Sequence, residues 1–163
     1  MSIYVKYGDH KGSVTTKGFE GYSECLSFSW GVNRHMTTAA HGASNRETGQ
    51  VEIIAINISK VMDAASTMLL HEAWGGKLNA KTIFKWTTMS EKGIAEYLTY
   101  ELEGTGISSY QISASGGGGS ESLPMESISL NFTKITETFK VVDEGHVGKP
   151  STVFYDLQKR VAG

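Results

Sequence analysis

Cysteine is nearly absent: the 163-residue sequence has one, Cys25. A single thiol excludes an internal disulfide framework, and no Cys/His spacing indicates a structural zinc site. The segment after Ser120 is only about 40 residues long, and a unit of that size needs such cross-links to fold alone. We therefore expect residues 1–163 to form one domain, with long loops at residues 34–50 and 113–124.

An excess of charge of either sign is also missing. The chain has 15 basic and 17 acidic residues and a net charge of −2. This balance gives no electrostatic case for nucleic acid or an anionic membrane surface as a partner. No segment approaches about 18 uninterrupted apolar residues, so membrane insertion is not expected.

The first residues, MSIYVKYGD, lack the apolar region and the small-residue cleavage site of a secretory leader. We expect the chain to be made as a soluble cytoplasmic protein. If it leaves the cell, the expected route is one that does not use a leader peptide.

What the sequence does have is apolar and polar residues that alternate with a period of two. Ile128 and Leu130, for example, alternate with Ser127 and Ser129. Similar runs cover residues 3–7, 22–30, 51–59, 82–87, 95–102, 107–112, 135–141 and 153–157. Many short strands with glycine-bearing connections predict a β-sandwich or β-barrel. One helix is predicted at about residues 64–75, with an N-cap at Asp63 or Ser66 and a stop at Gly75 and Gly76.

Two of these runs suggest surfaces that meet something other than solvent. The run VEIIAINI, residues 51–58, is apolar on both faces, which predicts the core on one side and a helix or neighbouring subunit on the other. The candidate subunit contacts are Glu52, Ile54, Ile56 and Ile58. In the run CLSFSWG, alternation puts Leu26, Phe28 and Trp30 in the core and leaves Ser27, Ser29 and Gly31 on the opposite face. That small, weakly polar face suits bulk solvent or the wall of a wetted channel.

Two segments carry no strand pattern. Residues 34–50, RHMTTAAHGASNRETGQ, are polar and small, and a loop of this length is usually functional or disordered. The second is a hairpin tip around four glycines, because strand alternation resumes directly after it. Gly116, Gly117, Gly118 and Gly119 are expected to be mobile and to tolerate insertion.

Catalytic motifs are weak throughout. His71 and Glu72 begin like a zinc-protease motif, but Gly75 stands where the second histidine belongs. The other histidines lie in loops or at strand ends without ligand spacing. The stretch GTG at residues 104–106 fits a turn between two strands better than a phosphate loop. No cofactor or metal is expected. Two alternatives stay open: a carbohydrate- or ligand-binding β-barrel, and a small metal-dependent barrel enzyme.

The succession of segments resembles the haemolysin-coregulated protein (Hcp) family, the tube protein of bacterial type VI secretion. The segments that carry the resemblance are "IYVKYGDHKG", "GYSECLSFSWGV", the long polar loop, "KVMDAASTMLLHEAWGGK", "AEYLTYELEGTGISSYQIS", the glycine-rich loop, "PMESISLNFTKITETF" and "YDLQK". They cover nearly the whole chain. The resemblance implies a mainly β fold: a β-barrel formed by two antiparallel sheets with one short flanking α-helix.

The resemblance also implies a function without catalysis. Homohexameric rings stack into an inner tube, a contractile sheath expels it with a spike protein at its tip, and secreted effectors ride in the lumen. Ser27, Ser29 and Gly31 would then face the lumen. The loop residues expected to connect stacked rings are His41, Gly42, Ala43, Ser44, Asn45, Arg46, Glu47 and Thr48.

Overall fold

Strands dominate the computed structural model, which describes residues 1–34, 51–78, 80–91, 93–116, 123–143 and 146–163. The strands in these ranges are β1 (Ser2–Tyr7), β2 (Ser23–Cys25), β3 (Ser27–Arg34), β4 (Val51–Val61), β5 (Ala80–Ser90), β6 (Gly93–Ser113), β7 (Met125–Asn131), β8 (Lys134–Asp143), β9 (His146–Asp156) and β10 (Val161–Ala162). The helix α1 (Ser66–Gly75) lies between β4 and β5.

The strands form two antiparallel sheets that share β6. The larger sheet has the order β10-β9-β8-β6-β5-β1-β2. In the smaller sheet, β3 pairs with β4, β4 with β7, and β7 with the second half of β6. The predicted mainly β fold of two antiparallel sheets with one short helix is confirmed. Among the described strands, the two sheets join along β6 and do not close into a complete barrel.

The continuity of β6 corrects the prediction of two strands joined by a turn at residues 104–106. Residues 93–105 pair with β5 in the larger sheet, and residues 106–113 pair with β7 in the smaller one. Gly104 adopts φ +61°, and a Cβ atom there would lie 2.3 Å from Thr133 Oγ1. Position 104 therefore requires glycine, because any side chain there would have an unfavourable positive φ and would also clash with Thr133. This glycine marks the place where β6 passes from one sheet to the other.

The core fills the space between the two sheets. It includes Ile3 and Val5 of β1, Ile58 of β4, and Ile128 and Leu130 of β7. Residues from both sides of the glycine-rich segment therefore pack in one cluster.

Aromatic rings complete this core near β3. The Phe28 ring lies 4.9 Å from Phe84, 4.7 Å from Trp86 and 5.6 Å from Tyr100 between centroids. Leu26 was predicted to join Phe28 inside, but its side chain is 57% exposed. It lies at a bend between β2 and β3, which divides the predicted single strand and turns Leu26 outward.

The helix α1 is shorter than predicted at its start. Its N-cap is Ala65 and not Asp63 or Ser66, and Gly76 caps the other end through a backbone bond to Glu72 O. Asp63 still contributes, because its Oδ1 accepts the Ala65 N–H at 3.0 Å. Within the described ranges, no helix has the length and apolarity needed to cross a membrane.

Candidate functional site

The outward face of the smaller sheet carries two rows of uncharged polar side chains. Residues directly opposite each other on neighbouring strands share a face, so the strand register defines the rows. One row is Ser29, Asn57, Ser129 and Ser109, and the other is Ser27, Ser59, Ser127 and Gln111. We call these eight residues the serine face. They surround a shallow depression of about 300 Å³.

Hydrogen bonds tie part of the serine face together. Ser27 Oγ and Ser59 Oγ are 2.6 Å apart, and Ser129 Oγ donates to Asn57 Oδ1 at 2.6 Å. Asn57 Nδ2 donates to the carbonyl of Ala55 at 3.1 Å, which fixes the orientation of the amide. Each row thus contains one pair of side chains bridged across adjacent strands.

The residues predicted to face a lumen lie on this side of the sheet. Ser27 and Ser29 are exposed and Gly31 is half-buried, with Ile54 Cδ1 3.4 Å from the position of a Cβ. The sequence reasoning missed the other six members of the serine face. The signal was available, because Ser127 and Ser129 follow the same alternation.

The four candidate subunit contacts of β4 divide between two faces. Between Ser29 and Gly31 of β3, the partner on β4 moves from Asn57 to Ile54, which inserts one extra residue into β4. Such a bulge turns the following residues to the other side. Glu52 and Ile54 are therefore exposed on the side of the serine face, whereas Ile56 and Ile58 are 0% and 5% exposed in the core. The prediction of a subunit contact at Ile56 and Ile58 is corrected, because both are occupied by packing within the chain.

Other predicted residues fall partly outside the described ranges. The loop residues His41, Gly42, Ala43, Ser44, Asn45, Arg46, Glu47 and Thr48 all lie outside them, as do Gly117, Gly118 and Gly119. Gly116 is described and exposed, and a Cβ placed on it would meet nothing within 4 Å.

Behind the serine face lies a buried network of charged residues that the sequence reasoning did not anticipate. Lys60 of β4 and Glu126 of β7 are both 0% exposed, and Lys60 Nζ lies 2.6 Å from Glu126 Oε2. Lys60 Nζ also donates to Asp63 Oδ1 at 2.9 Å and to Ser66 Oγ at 3.2 Å. The hydroxyl of Tyr110 on β6 donates to Glu126 Oε1. The network therefore connects three strands of the smaller sheet to the start of α1.

The surroundings of this network shift two pKa values in opposite directions. Burial raises the pKa of Tyr110, as do the hydrogen bond and charge of Glu126. At Asp63, burial alone would raise the pKa. Hydrogen bonds from Ser23 and Lys60 and the charge of Lys60 outweigh it, so the pKa lies below its ordinary value of 3.8. Asp63 is thus held as a carboxylate and Tyr110 as a neutral hydroxyl near neutral pH.

A cleft of about 740 Å³ lies between the β1–β2 turn, the end of α1 and the start of β5. It contains two of the histidines considered as metal ligands. His10 Nε2 lies 3.5 Å from Glu72 Oε1, and its ring stacks on Tyr7 at 5.9 Å. In the part of the chain that is described, no group of three or more His, Cys, Asp or Glu residues could hold a metal ion.

The fold and these surfaces define a class of protein: a two-sheet antiparallel β protein with an uncharged outward face on its smaller sheet. The family described as "Type VI secretion system effector, Hcp" matches residues 4–139. The chain therefore belongs to the Hcp family of type VI secretion, as the sequence resemblance predicted. A comparison with curated protein sequences found no significant relative.

Solved structures share the fold over nearly the full chain. A structure described as a type six secretion system protein is 24% identical, with a TM-score of 0.89 and 99% of each chain covered. Hcp1 from Salmonella typhimurium is 20% identical, with a TM-score of 0.74 and coverage of 99% of this chain and 97% of that one. Hcp1 from E. coli EAEC 042 is 19% identical, with a TM-score of 0.71 and coverage of 93% and 97%. At these identities the likeness shows the fold alone.

Proposed function

We propose that this chain forms homohexameric rings that stack into the inner tube of a type VI secretion system, with the serine face lining the lumen. A contractile sheath and a spike protein at the tip are the partners outside the tube, and secreted effectors are the partners inside it. The observation that carries this proposal is the serine face itself. It is an outward, uncharged surface of exposed and half-buried side chains, on a chain that belongs to the Hcp family.

The edges of the smaller sheet support ring closure. Its outer strands are β3 on one side and residues 106–113 of β6 on the other, and no described strand pairs beyond either. Exposed apolar side chains lie near both edges: Val32 and Ile54 at one, Ile112 at the other, with exposures of 56%, 44% and 49%. A contact between two unlike surfaces generates a closed ring when the rotation from one subunit to the next returns to the first subunit after a full turn. We therefore assign β3, with Glu52 and Ile54, to one side of the subunit contact and β6 to the other.

An Ile54→Lys variant tests this contact. Ile54 is partly exposed, so the folded chain should tolerate lysine, whereas an ammonium buried between two subunits without a partner should prevent closure. Val153→Lys on β9 is the matched control, because Val153 is 56% exposed and lies on the larger sheet. We expect sedimentation to show monomers for Ile54→Lys and hexamers for the control. Hexamers for both variants would contradict the assignment of this edge.

Ring stacking is assigned to residues 34–50, the segment to which the family resemblance gives this role. Ordering small polar residues costs conformational entropy, so stacking should be weak for isolated rings. Deleting residues 41–48 should leave hexamers intact and abolish tube assembly and secretion. Normal secretion by the deletion variant would contradict the assignment.

Effector binding is tested most directly at Ser29. A Ser29→Gln change adds bulk to an exposed surface without opening a cavity, so hexamers should form while effector levels and co-export fall. Ser151→Gln, at an exposed position of β9, is the control and should change neither. Unchanged effector levels with intact Ser29→Gln rings would show that effectors bind elsewhere, and loss of the ring would place Ser29 in a packed interface. The chain is expected to leave the bacterial cytoplasm through this secretion system and to act without catalysis.

A further inference from the structure

The last part of β6, residues 109–113, forms one edge of the smaller sheet. It begins after an irregularity in the pairing, where β6 has one extra residue, Ser108, relative to β7. Such a bulge bends and twists a strand, so the direction of the residues beyond it depends on further contacts. None of residues 109–113 is buried, and no described strand pairs with their other edge. We call residues 109–113 the outer segment of β6.

One side chain connects the outer segment to the interior. Tyr110 is half-buried against the core, and its hydroxyl donates to Glu126 Oε1 on β7. Within residues 109–113, this is the one side-chain hydrogen bond to a described residue. Side chains two residues apart on a strand share a face, so Tyr110 and Ile112 both point to the core side of the sheet. Tyr110 therefore holds the segment on the side from which Ile112 projects.

The acceptor of this bond is a fully buried carboxylate. Glu126 is 0% exposed, and its other oxygen, Oε2, lies 2.6 Å from Lys60 Nζ. Lys60 lies directly opposite Glu126 on one neighbouring strand, and Ile112 lies directly opposite it on the other. Without the Tyr110 hydroxyl, Oε1 would have no side-chain donor among the described residues. A buried carboxylate oxygen in that state is costly until water reaches it.

The free edge of the sheet is the easiest route for water to reach Oε1. β7 is paired on both sides, and Lys60 is itself 0% exposed and bonded to Asp63 and Ser66. The outer segment is paired on one side only among the described strands, so it is the part that can move outward at least cost. Loss of the hydroxyl should therefore displace the segment that carries Ile112.

We propose that Tyr110 is a positioning residue for the subunit contact, because its bond to the buried Glu126 carboxylate holds the outer segment of β6 and Ile112 in place. A surface that already has its bound conformation loses less conformational entropy on association. The bond should therefore favour assembly beyond its contribution to folding. This inference rests on the proposed function, since it treats the edge as one side of the ring contact.

Tyr110→Phe removes the hydroxyl and keeps the ring, and Tyr100→Phe is the matched control. Tyr100 lies on the same strand, and its hydroxyl donates to Glu137 Oε2 at 2.6 Å. At Tyr100, however, β6 is paired on both sides, with β5 and β8, and Glu137 is only half-buried. The two variants thus delete the same kind of hydrogen bond, one at a sheet edge and one inside a sheet.

Hydrogen exchange of monomeric protein, obtained with Ile54→Lys or by dilution, tests whether Tyr110 holds the segment. Tyr110→Phe should accelerate exchange in a peptide covering residues 106–113 about tenfold or more, and in a β5 peptide less than about twofold. Tyr100→Phe should change the 106–113 peptide less than about twofold. Equal acceleration of both peptides by Tyr110→Phe would show a general loss of stability, and an unchanged 106–113 peptide would show that the bond does not hold the segment. Either result would overturn the proposal.

Sedimentation of the two single variants tests the consequence for assembly. The concentration at which rings dissociate should rise about tenfold or more with Tyr110→Phe and change less than about twofold with Tyr100→Phe. Equal changes in the two variants would contradict a positioning role at the edge. Wild-type protein that stays monomeric would contradict the proposed function, whereas Tyr110→Phe rings as stable as wild type would contradict only the role of Tyr110.

Discussion

Replacing Lys60 with methionine removes the ammonium at the centre of the buried network while nearly preserving its volume. Glu126 is 0% exposed, and among the described residues only Tyr110 would remain as its side-chain donor. Removing one partner of a buried ion pair costs roughly 3–5 kcal/mol, because the other charge is left without compensation. For a chain of this size, about 2–4 °C is lost per kcal/mol, so the melting temperature should fall by roughly 6–20 °C.

The assay is urea denaturation followed by tryptophan fluorescence. All variants are measured at the same protein concentration, because association into oligomers adds stability that depends on concentration. The double variant Lys60→Met/Glu126→Met leaves no carboxylate at position 126 and should recover most of the loss. Lys81→Met is the surface control: Lys81 and Glu101 are 59% and 46% exposed, and such pairs contribute about 0–1 kcal/mol. A Lys60→Met variant within about 1 kcal/mol of wild type would refute the reasoning, as would a double variant no more stable than the single one.

Three further predictions concern individual residues. The folded-state pKa of Asp63 is lowered, so its carboxylate stabilises the fold above its ordinary pKa of 3.8 and loses this contribution as the pH falls through the folded value. Asp63→Asn should flatten the acid side of the stability–pH curve measured by urea denaturation, and an unchanged curve would contradict this. Gly104→Ala should cost about 1–3 kcal/mol, from its φ of +61° and its approach to Thr133, and more than Gly18→Ala, whose φ is +88° but whose Cβ meets nothing within 4 Å. If Gly104→Ala and Gly18→Ala lower the free energy of unfolding equally in urea denaturation, the contact with Thr133 is unimportant. Cys25 is 5% exposed and burial raises its thiol pKa to about 12, so alkylation at pH 8 should follow unfolding, and immediate labelling of the native protein would contradict its burial.

Alternation with a period of two made much of this fold predictable. It identified most strands because one face of each packs on the core, and Ile128 and Leu130 lie inside as the pattern indicates. It failed at Gly104 and at the β4 bulge for a common reason. Both are places where the backbone departs from regular pleating. The bulge changes the face of the residues beyond it, and at Gly104 the long strand β6 passes from one sheet to the other where a turn was predicted.

The candidate site was predictable only in part. Ser27 and Ser29 follow from one strand, but the two rows emerge only when the register of four strands is known. The buried network left a usable signal: Lys60 and Glu126 occupy core-facing positions of their strands and carry opposite charges. Alternation alone could not reveal that the two meet, because Lys60 and Glu126 lie 66 positions apart in the sequence.

Sedimentation velocity of the purified chain over a wide range of concentrations tests the central claim most directly. A ring built through the edges of the smaller sheet predicts a species with the mass of a hexamer, which electron microscopy should show as a closed ring with an open centre. A monomer that persists at every concentration would contradict the account, because the serine face would then enclose no lumen.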